Sequence, residues 1–279
     1  MHEVEIHSDQ RVVNVLGISG GKDSTALAVY LRDRVPDMHY YFCDTGEELE
    51  ETYEYLTAVE TYLGKPITRL NPDRPFAHYL KIYNNYLPSA RMRWCTAQLK
   101  LKPFEQWIES EFPGCLVNSY VAIRADEDRD GYITHKPGIV PVYPFKEAGI
   151  GKSDVCSILE EAGLGLPKYY EWRTRSGCYF CFFQRRAEWA GLKERHPELY
   201  ERAKQYEKVD EATGRKYTWV ERESLVELEQ PERLAEIKAG HAKFLEEEAK
   251  ANKGKRLAQI FESALDDEND DTPCLICHL

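Results

Sequence analysis

The sequence predicts an α/β fold: a parallel sheet with helices on both faces, continued by a mostly helical C-terminal extension. Three observations carry this. Apolar strand-like runs alternate with helical patterns through about residue 125, a glycine-rich turn closes the first run, and the pattern beyond Cys181 becomes helical.

Taken in order, RVVNVLGI reads as a buried strand and KDSTALAVYLRD as the helix after it. MHYYFCD reads as the next strand and ELEETYEYLTAVETYL as an amphipathic helix. Beyond KPITRLNP, LKPFEQWIESEF is helical and CLVNSYVAI is a further strand. Residues 126–177 are looser, rich in Pro, Gly and Tyr, with KSDVCSILEEAGL as a helix among them. The charged run from LEQPERLAEIKAG to RLAQIFESAL reads as a solvated helical appendage. Two units follow, 1–190 for the sheet domain and 191–279 for the helical extension with its cysteine-bearing tail.

Composition narrows the function classes. No apolar run nears the roughly 20 residues of a membrane span, and MHEVEIHSDQ lacks a charged-then-apolar leader, so a cytoplasmic protein is expected. A net charge of −11 argues against a protein that coats nucleic acid. The basic residues nevertheless gather in RMRWCTAQLKLK, EWRTRSGC and FFQRRAEW, which flank cysteines and can lead a polyanion to one face. Their aromatic neighbours suit either a nucleic-acid clamp or a core with ion pairs.

The chemistry starts at GISGGKDS. Gly20 and Gly21 let successive N–H groups converge on an anion, and the helix that follows adds its N-terminal partial charge. Ser19, Ser24 and Thr25 add hydroxyls and Lys22 an ammonium, while Asp23 suggests Mg²⁺ or a cap. A Walker loop has Ser or Thr directly after its lysine, so this is another kind of phosphate turn. Asp44, Thr45 and Gly46 end the second strand, where they either meet a nucleotide or its metal or simply cap a turn. Arg124 and Arg129 offer guanidinium forks for a pyrophosphate or sulfate, or form a local ion-pair network with Asp126, Glu127 and Asp128.

Eight cysteines in a cytosolic chain point to metal or redox chemistry rather than disulfides. Cys43, Cys115 and Cys156 sit alone in apolar settings and read as buried structural thiols. Cys178 and Cys181 form one CxxC, Cys274 and Cys277 another, and Cys95 lies in a basic, aromatic setting.

SGGKDS, with FCDTGEELEETYEYL, RMRWCTAQLKLKPF and AIRADEDRDG, resembles the PP-loop ATP pyrophosphatase superfamily, in its phosphoadenosine-phosphosulfate reductase branch, over about residues 12–190. The resemblance implies a Rossmann-like parallel sheet, in agreement with the alternation, and ATP cut between its α and β phosphates with transient adenylation of a substrate. It casts Lys22, Asp23, Arg124 and Arg129 as catalytic and Ser19 to Ser24 with Asp44, Thr45 and Gly46 as nucleotide contacts. It also implies a four-iron, four-sulfide cluster on Cys95, Cys178 and Cys181. Trp94 replaces the first cysteine of the usual pair, so the fourth thiolate would come from Cys274 or Cys277, and zinc is the alternative. The tail CLICHL also resembles, inexactly, the reductases' C-terminal cysteine motif, which would make a tail cysteine a mobile redox or sulfur-carrying thiol; His278 could favour the Cys277 thiolate.

The intact SGGKDS together with WCT and the downstream CxxC is most similar to the DNA-phosphorothioation (Dnd- and Ssp-type) components. They imply sulfur transfer, a sulfur donor such as a cysteine desulfurase, DNA brought by partner proteins, and a role in antiphage defence. A sulfonucleotide reductase and a nucleotide-binding scaffold with structural zinc are the other readings. Lys22→Ala and Asp23→Ala are expected to abolish turnover and leave the fold intact.

Overall fold

Val12 to Gly17 and His39 to Cys43 alternate sides residue by residue, as the two-residue period of a strand requires. Leu16, Tyr40 and Phe42 face one core, while Val13, Val15, Tyr41 and Cys43 face another. The computed structural model describes residues 11–128, 136–210 and 215–251.

The strands are β1 (Val12–Gly17), β2 (His39–Cys43), β3 (Ile67–Leu70), β4 (Leu116–Tyr120) and β5 (Ile139–Val142). All pair in parallel, in the order β3-β2-β1-β4-β5. Helices α1 (Lys22–Leu31) and α2 (Glu50–Leu63) follow the first two strands. Then come α3 (Phe76–Ile82), α4 (Trp94–Thr96), a π turn over Ala97–Leu101, and α5 (Lys102–Glu111). The chain continues through α6 (Pro144–Ala148), α7 (Lys152–Glu161), α8 (Arg186–Arg195), α9 (Pro197–Lys204), α10 (Leu225–Leu228) and α11 (Pro231–Ala251).

Helices cover both faces, as the alternating pattern predicts. Leu27 of α1, Leu56 and Val59 of α2, and Val155 and Leu159 of α7 close one side, while Phe104 and Ile108 of α5 close the other. A third core is aromatic. Phe76, Trp94, Phe180, Trp189, Tyr200 and Trp219 share it, joining α3 and α4 to the helices after the CxxC. Ile237 of α11 also enters this core, so that helix starts on packed surface and its later residues through Glu247 are mostly exposed.

β3 and β5 extend the three strands read from the sequence to five. A short antiparallel pair, β6 (Lys208–Asp210) and β7 (Arg215–Tyr217), interrupts the helical extension. The strand order reverses between β1 and β4, so a crevice opens beyond their carboxyl ends, where open α/β sheets bind ligands.

Candidate active site

The SGGKDS turn joins β1 to α1 at that crevice. Gly20 has a φ of +76°, and a Cβ there would stand 2.6 Å from Thr52 Cγ2 of α2. A Cβ on Gly21 would meet Ser176 Oγ at 2.8 Å. Both glycines are therefore demanded by close approach, the first also by its left-handed backbone. The loop N–H groups meet hydroxyl oxygens: Ser19 N donates to Ser24 Oγ at 3.0 Å and Lys22 N to Tyr170 Oη at 3.3 Å. Tyr169 donates to Gly20 O at 2.7 Å, and Ser176 Oγ lies 3.1 Å from Ser19 Oγ.

Lys22 and Asp23 are both buried and paired, Nζ to Oδ2, at 3.0 Å. The other carboxylate oxygen takes Arg124 Nη1 at 3.0 Å, and Arg124 also meets Asp126 at 2.9 Å and Glu127 at 2.8 Å. Burial opposes the charge on Lys22, but Asp23 and Tyr170 outweigh it and hold the ammonium above its ordinary value. Burial likewise opposes the Arg124 charge, and Asp23, Glu127 and Asp126 outweigh it. Of the two readings weighed for Arg124, the structure shows the ion-pair network, with Asp126 and Glu127 and with Asp23 of the loop as an added partner.

The DTG turn ends β2 on the same rim. Asp44 Oδ1 accepts from Gly46 N at 2.9 Å and from Tyr53 at 2.8 Å. Thr45 turns toward the cysteines instead. Its Oγ1 lies 3.2 Å from Cys178 Sγ and donates to Glu48 Oε1 at 2.9 Å, and Cys178 donates to the same carboxylate oxygen at 3.7 Å. Arg173, buried, donates to the carbonyls of Gly177 and Cys178 and fixes the CxxC turn. Burial pushes the Glu48 carboxyl above its usual range, against Lys100, the Thr45 hydrogen bond and Arg173. It pushes the Cys178 thiol up as well, and Glu48 adds to that.

Cys95, Cys178 and Cys181 line one cavity of about 40 Å³ with Thr45, Lys100 and Phe183. That is room for a few water molecules. A four-iron cluster does not fit it as arranged, and among the described residues no three Cys, His, Asp or Glu side chains stand where they can hold one metal ion. Cys274, Cys277 and Arg129 lie outside the described residues. Cys43 is buried, its thiol pushed up to about 12 by burial, as read from its setting, but Cys115 and Cys156 are only half-buried. The interleaved aromatics resolve mainly as core, with Tyr169, Tyr179, Phe180 and Trp189 all buried.

The sequence reading did not assign Tyr169, Tyr170, Ser176, Glu48 or Lys100 to the site. The first three lie about 150 residues from the loop they touch, and the signal available was only their place in the stretch KYYEWRTRSGC.

Fold and loop together set a glycine-rich turn at the switch point of a parallel α/β sheet, the place where sheets of this kind bind their ligands. Residues 13–121 match the phosphoadenosine phosphosulfate reductase domain family. An uncharacterized protein of Methanocaldococcus jannaschii is 28% identical over 199 residues, 67% of this chain and 40% of that one. An uncharacterized nin region protein of Escherichia phage lambda is 29% identical over 201 residues, 61% of this chain and 66% of its own length. The chain thus spans less than two thirds of both relatives. Among solved structures, phosphoadenylyl-sulfate reductase from Candida auris in a phosphate complex aligns with a TM-score of 0.47 at 12% identity, covering 61% of this chain and 82% of that one. No helix among the described residues is long and apolar enough to cross a membrane.

Proposed function

We propose that the protein is an ATP pyrophosphatase that adenylates an oxygen of its substrate for replacement by sulfur, with a DNA phosphate as acceptor, as in phosphorothioate modification. The observation that carries the reading is the intact loop. Lys22 is buried beside the turn, fixed by an acid that Arg124 also grips. The loop N–H groups already point at oxygen atoms, those of Ser24 and Tyr170, in positions that phosphate oxygens can take over.

In this scheme the substrate oxygen attacks the α-phosphorus and pyrophosphate leaves. Lys22 and the loop N–H groups bear its growing negative charge. AMP is then the group that sulfur displaces. Mg²⁺ would be shared between the ATP phosphates and a carboxylate. Asp23 has both oxygens engaged by cations, so Asp44 at the end of β2 is the better-placed candidate. The thiols of the cavity, which adjoins the Ser176 side chain that meets Ser19 of the loop, would handle the sulfur in this scheme.

Incubation with ATP, Mg²⁺ and DNA, alone and with a cysteine desulfurase, tests this: AMP and pyrophosphate are expected. ADP and inorganic phosphate in their place would refute α–β cleavage. Metal analysis after anaerobic purification tests the thiols, because iron with acid-labile sulfide supports a cluster and zinc supports a structural site. The match over residues 13–121 also favours a second reading, reduction of an adenosyl phosphosulfate. Sulfite release with thioredoxin or glutaredoxin as reductant would establish it.

A further inference from the structure

We propose that Arg175 is a further catalytic residue, whose guanidinium grips the pyrophosphate end of ATP at the SGGKDS loop and carries part of its charge as it leaves. The proposal rests on the reading above and adds a residue to it.

The cations already found at the loop are spent on acids. Lys22 pairs with Asp23, and Arg124 pairs with Asp23, Asp126 and Glu127. A pyrophosphate group that arrives on such a loop brings several negative charges and needs a cation that no acid holds.

Arg175 is that cation. The residues around it are all pinned: Arg173 donates to the carbonyls of Gly177 and Cys178, Thr174 N donates to Glu188 Oε1 at 2.7 Å, and Ser176 Oγ lies 3.1 Å from Ser19 Oγ. Among the described residues no carboxylate and no carbonyl takes the N–H groups of Arg175 itself, although it is half-buried. Its guanidinium carbon lies 5.2 Å from the centre of the Phe183 ring. An aromatic face beside a guanidinium offsets part of its desolvation and leaves the N–H edge available to an anion.

Two contacts set this arginine at the loop. The next residue, Ser176, packs so closely on Gly21 that a Cβ there would stand 2.8 Å from its hydroxyl. Tyr170 Oη accepts the Lys22 N–H at 3.3 Å, in a place that a phosphate oxygen can take. Burial raises that hydroxyl above its ordinary value, and Arg175 is among the charges that act against the rise. The guanidinium is thus felt at the oxygen that marks the anion position. When the substrate oxygen bonds to the α-phosphorus, the bond to the bridging oxygen breaks and its electron pair stays on pyrophosphate. A guanidinium fork there meets that charge as it grows.

The test is isothermal titration of the full chain with inorganic pyrophosphate and, separately, with AMP, beside pyrophosphate release from ATP. Arg175→Ala should weaken pyrophosphate binding roughly tenfold to a hundredfold and leave AMP affinity and circular dichroism unchanged. Arg175→Lys, which keeps the charge and loses the fork, should recover part of the loss. Pyrophosphate release should fall about 10²-fold or more in Arg175→Ala.

Wild-type pyrophosphate affinity in Arg175→Ala would overturn the proposal. Equal losses for pyrophosphate and AMP would also overturn it, since they would make the residue structural, and so would a wild type that does not bind pyrophosphate. A wild type that binds pyrophosphate through Arg175 but releases none from ATP would refute α–β cleavage and leave this contact standing.

Discussion

The phosphate loop and the thiol cavity are neighbours with opposite electrostatic designs. At the loop every buried charge has a partner within 3.0 Å: Lys22 on Asp23, and Asp23 on Arg124. At the cavity the wall is largely apolar and sulfur-bearing, and Glu48 Oε2 beside it has no hydrogen-bond partner among the described residues. The first arrangement fixes its charged side chains against one another before any ligand arrives. The second leaves polar capacity unspent, which suits a site completed by what enters it.

The sharpest way to break the contrast is Asp23→Asn, which strips two buried cations of their shared acid. Removing one member of a buried pair costs about 3–5 kcal/mol, so urea denaturation should show a loss of that order. Asp23 is therefore not the purely catalytic probe its motif suggests; a variant as stable as wild type would show that the loop is not charge-organised.

Lys22→Ala comes next. Pyrophosphate release should fall about 10²–10³-fold while circular dichroism stays unchanged. Retained turnover would remove the lysine from the reaction.

Gly20→Ala tests the steric side of the loop. The left-handed backbone and the 2.6 Å approach to Thr52 Cγ2 should together cost about 1–3 kcal/mol. Adding Thr52→Ser, which deletes the offending methyl, should recover the contact part and not the backbone part.

The smallest effect belongs to the cavity. Glu48 binds its proton more tightly folded than unfolded, because burial raises its carboxyl above the ordinary value. Its contribution to stability is fully present below the unfolded value and is lost as the pH rises through the folded one. Glu48→Gln should therefore raise Tm at pH 8 and change it little at pH 4. A lower Tm at pH 8 would mean that Lys100 and Arg173 outweigh burial.

What the sequence revealed follows from how each element is buried. β1, β2 and β4 are interior strands, flanked on both sides and rich in apolar residues, and all three were legible. The two unread strands, β3 and β5, are the sheet's edges. Each has four residues, too few to establish a period, and β5 carries Pro141, which an edge tolerates and a central strand does not. The loop was legible because its residues are contiguous. The hydroxyls of Tyr169, Tyr170 and Ser176 were not, since only the folded chain brings them to it. Arg175 could be noted as basic, but its place beside the Phe183 ring exists only in three dimensions.

The π turn over Ala97–Leu101 sets the angular phase between the residues before it and α5. Cys95 precedes it, Lys100 lies within it, and Phe104 follows it on the sheet-facing side. An α-helix turns about 100° per residue, so the turn fixes how far the thiol is rotated away from the face anchored by Phe104. Deleting one residue within it, such as Ala97, would return the segment to ordinary helical phase. With Phe104 still held by the sheet, Cys95 would swing by about a quarter of a turn and leave the cavity wall. A single codon's worth of backbone thus acts as the gauge that keeps sulfur and sheet in alignment.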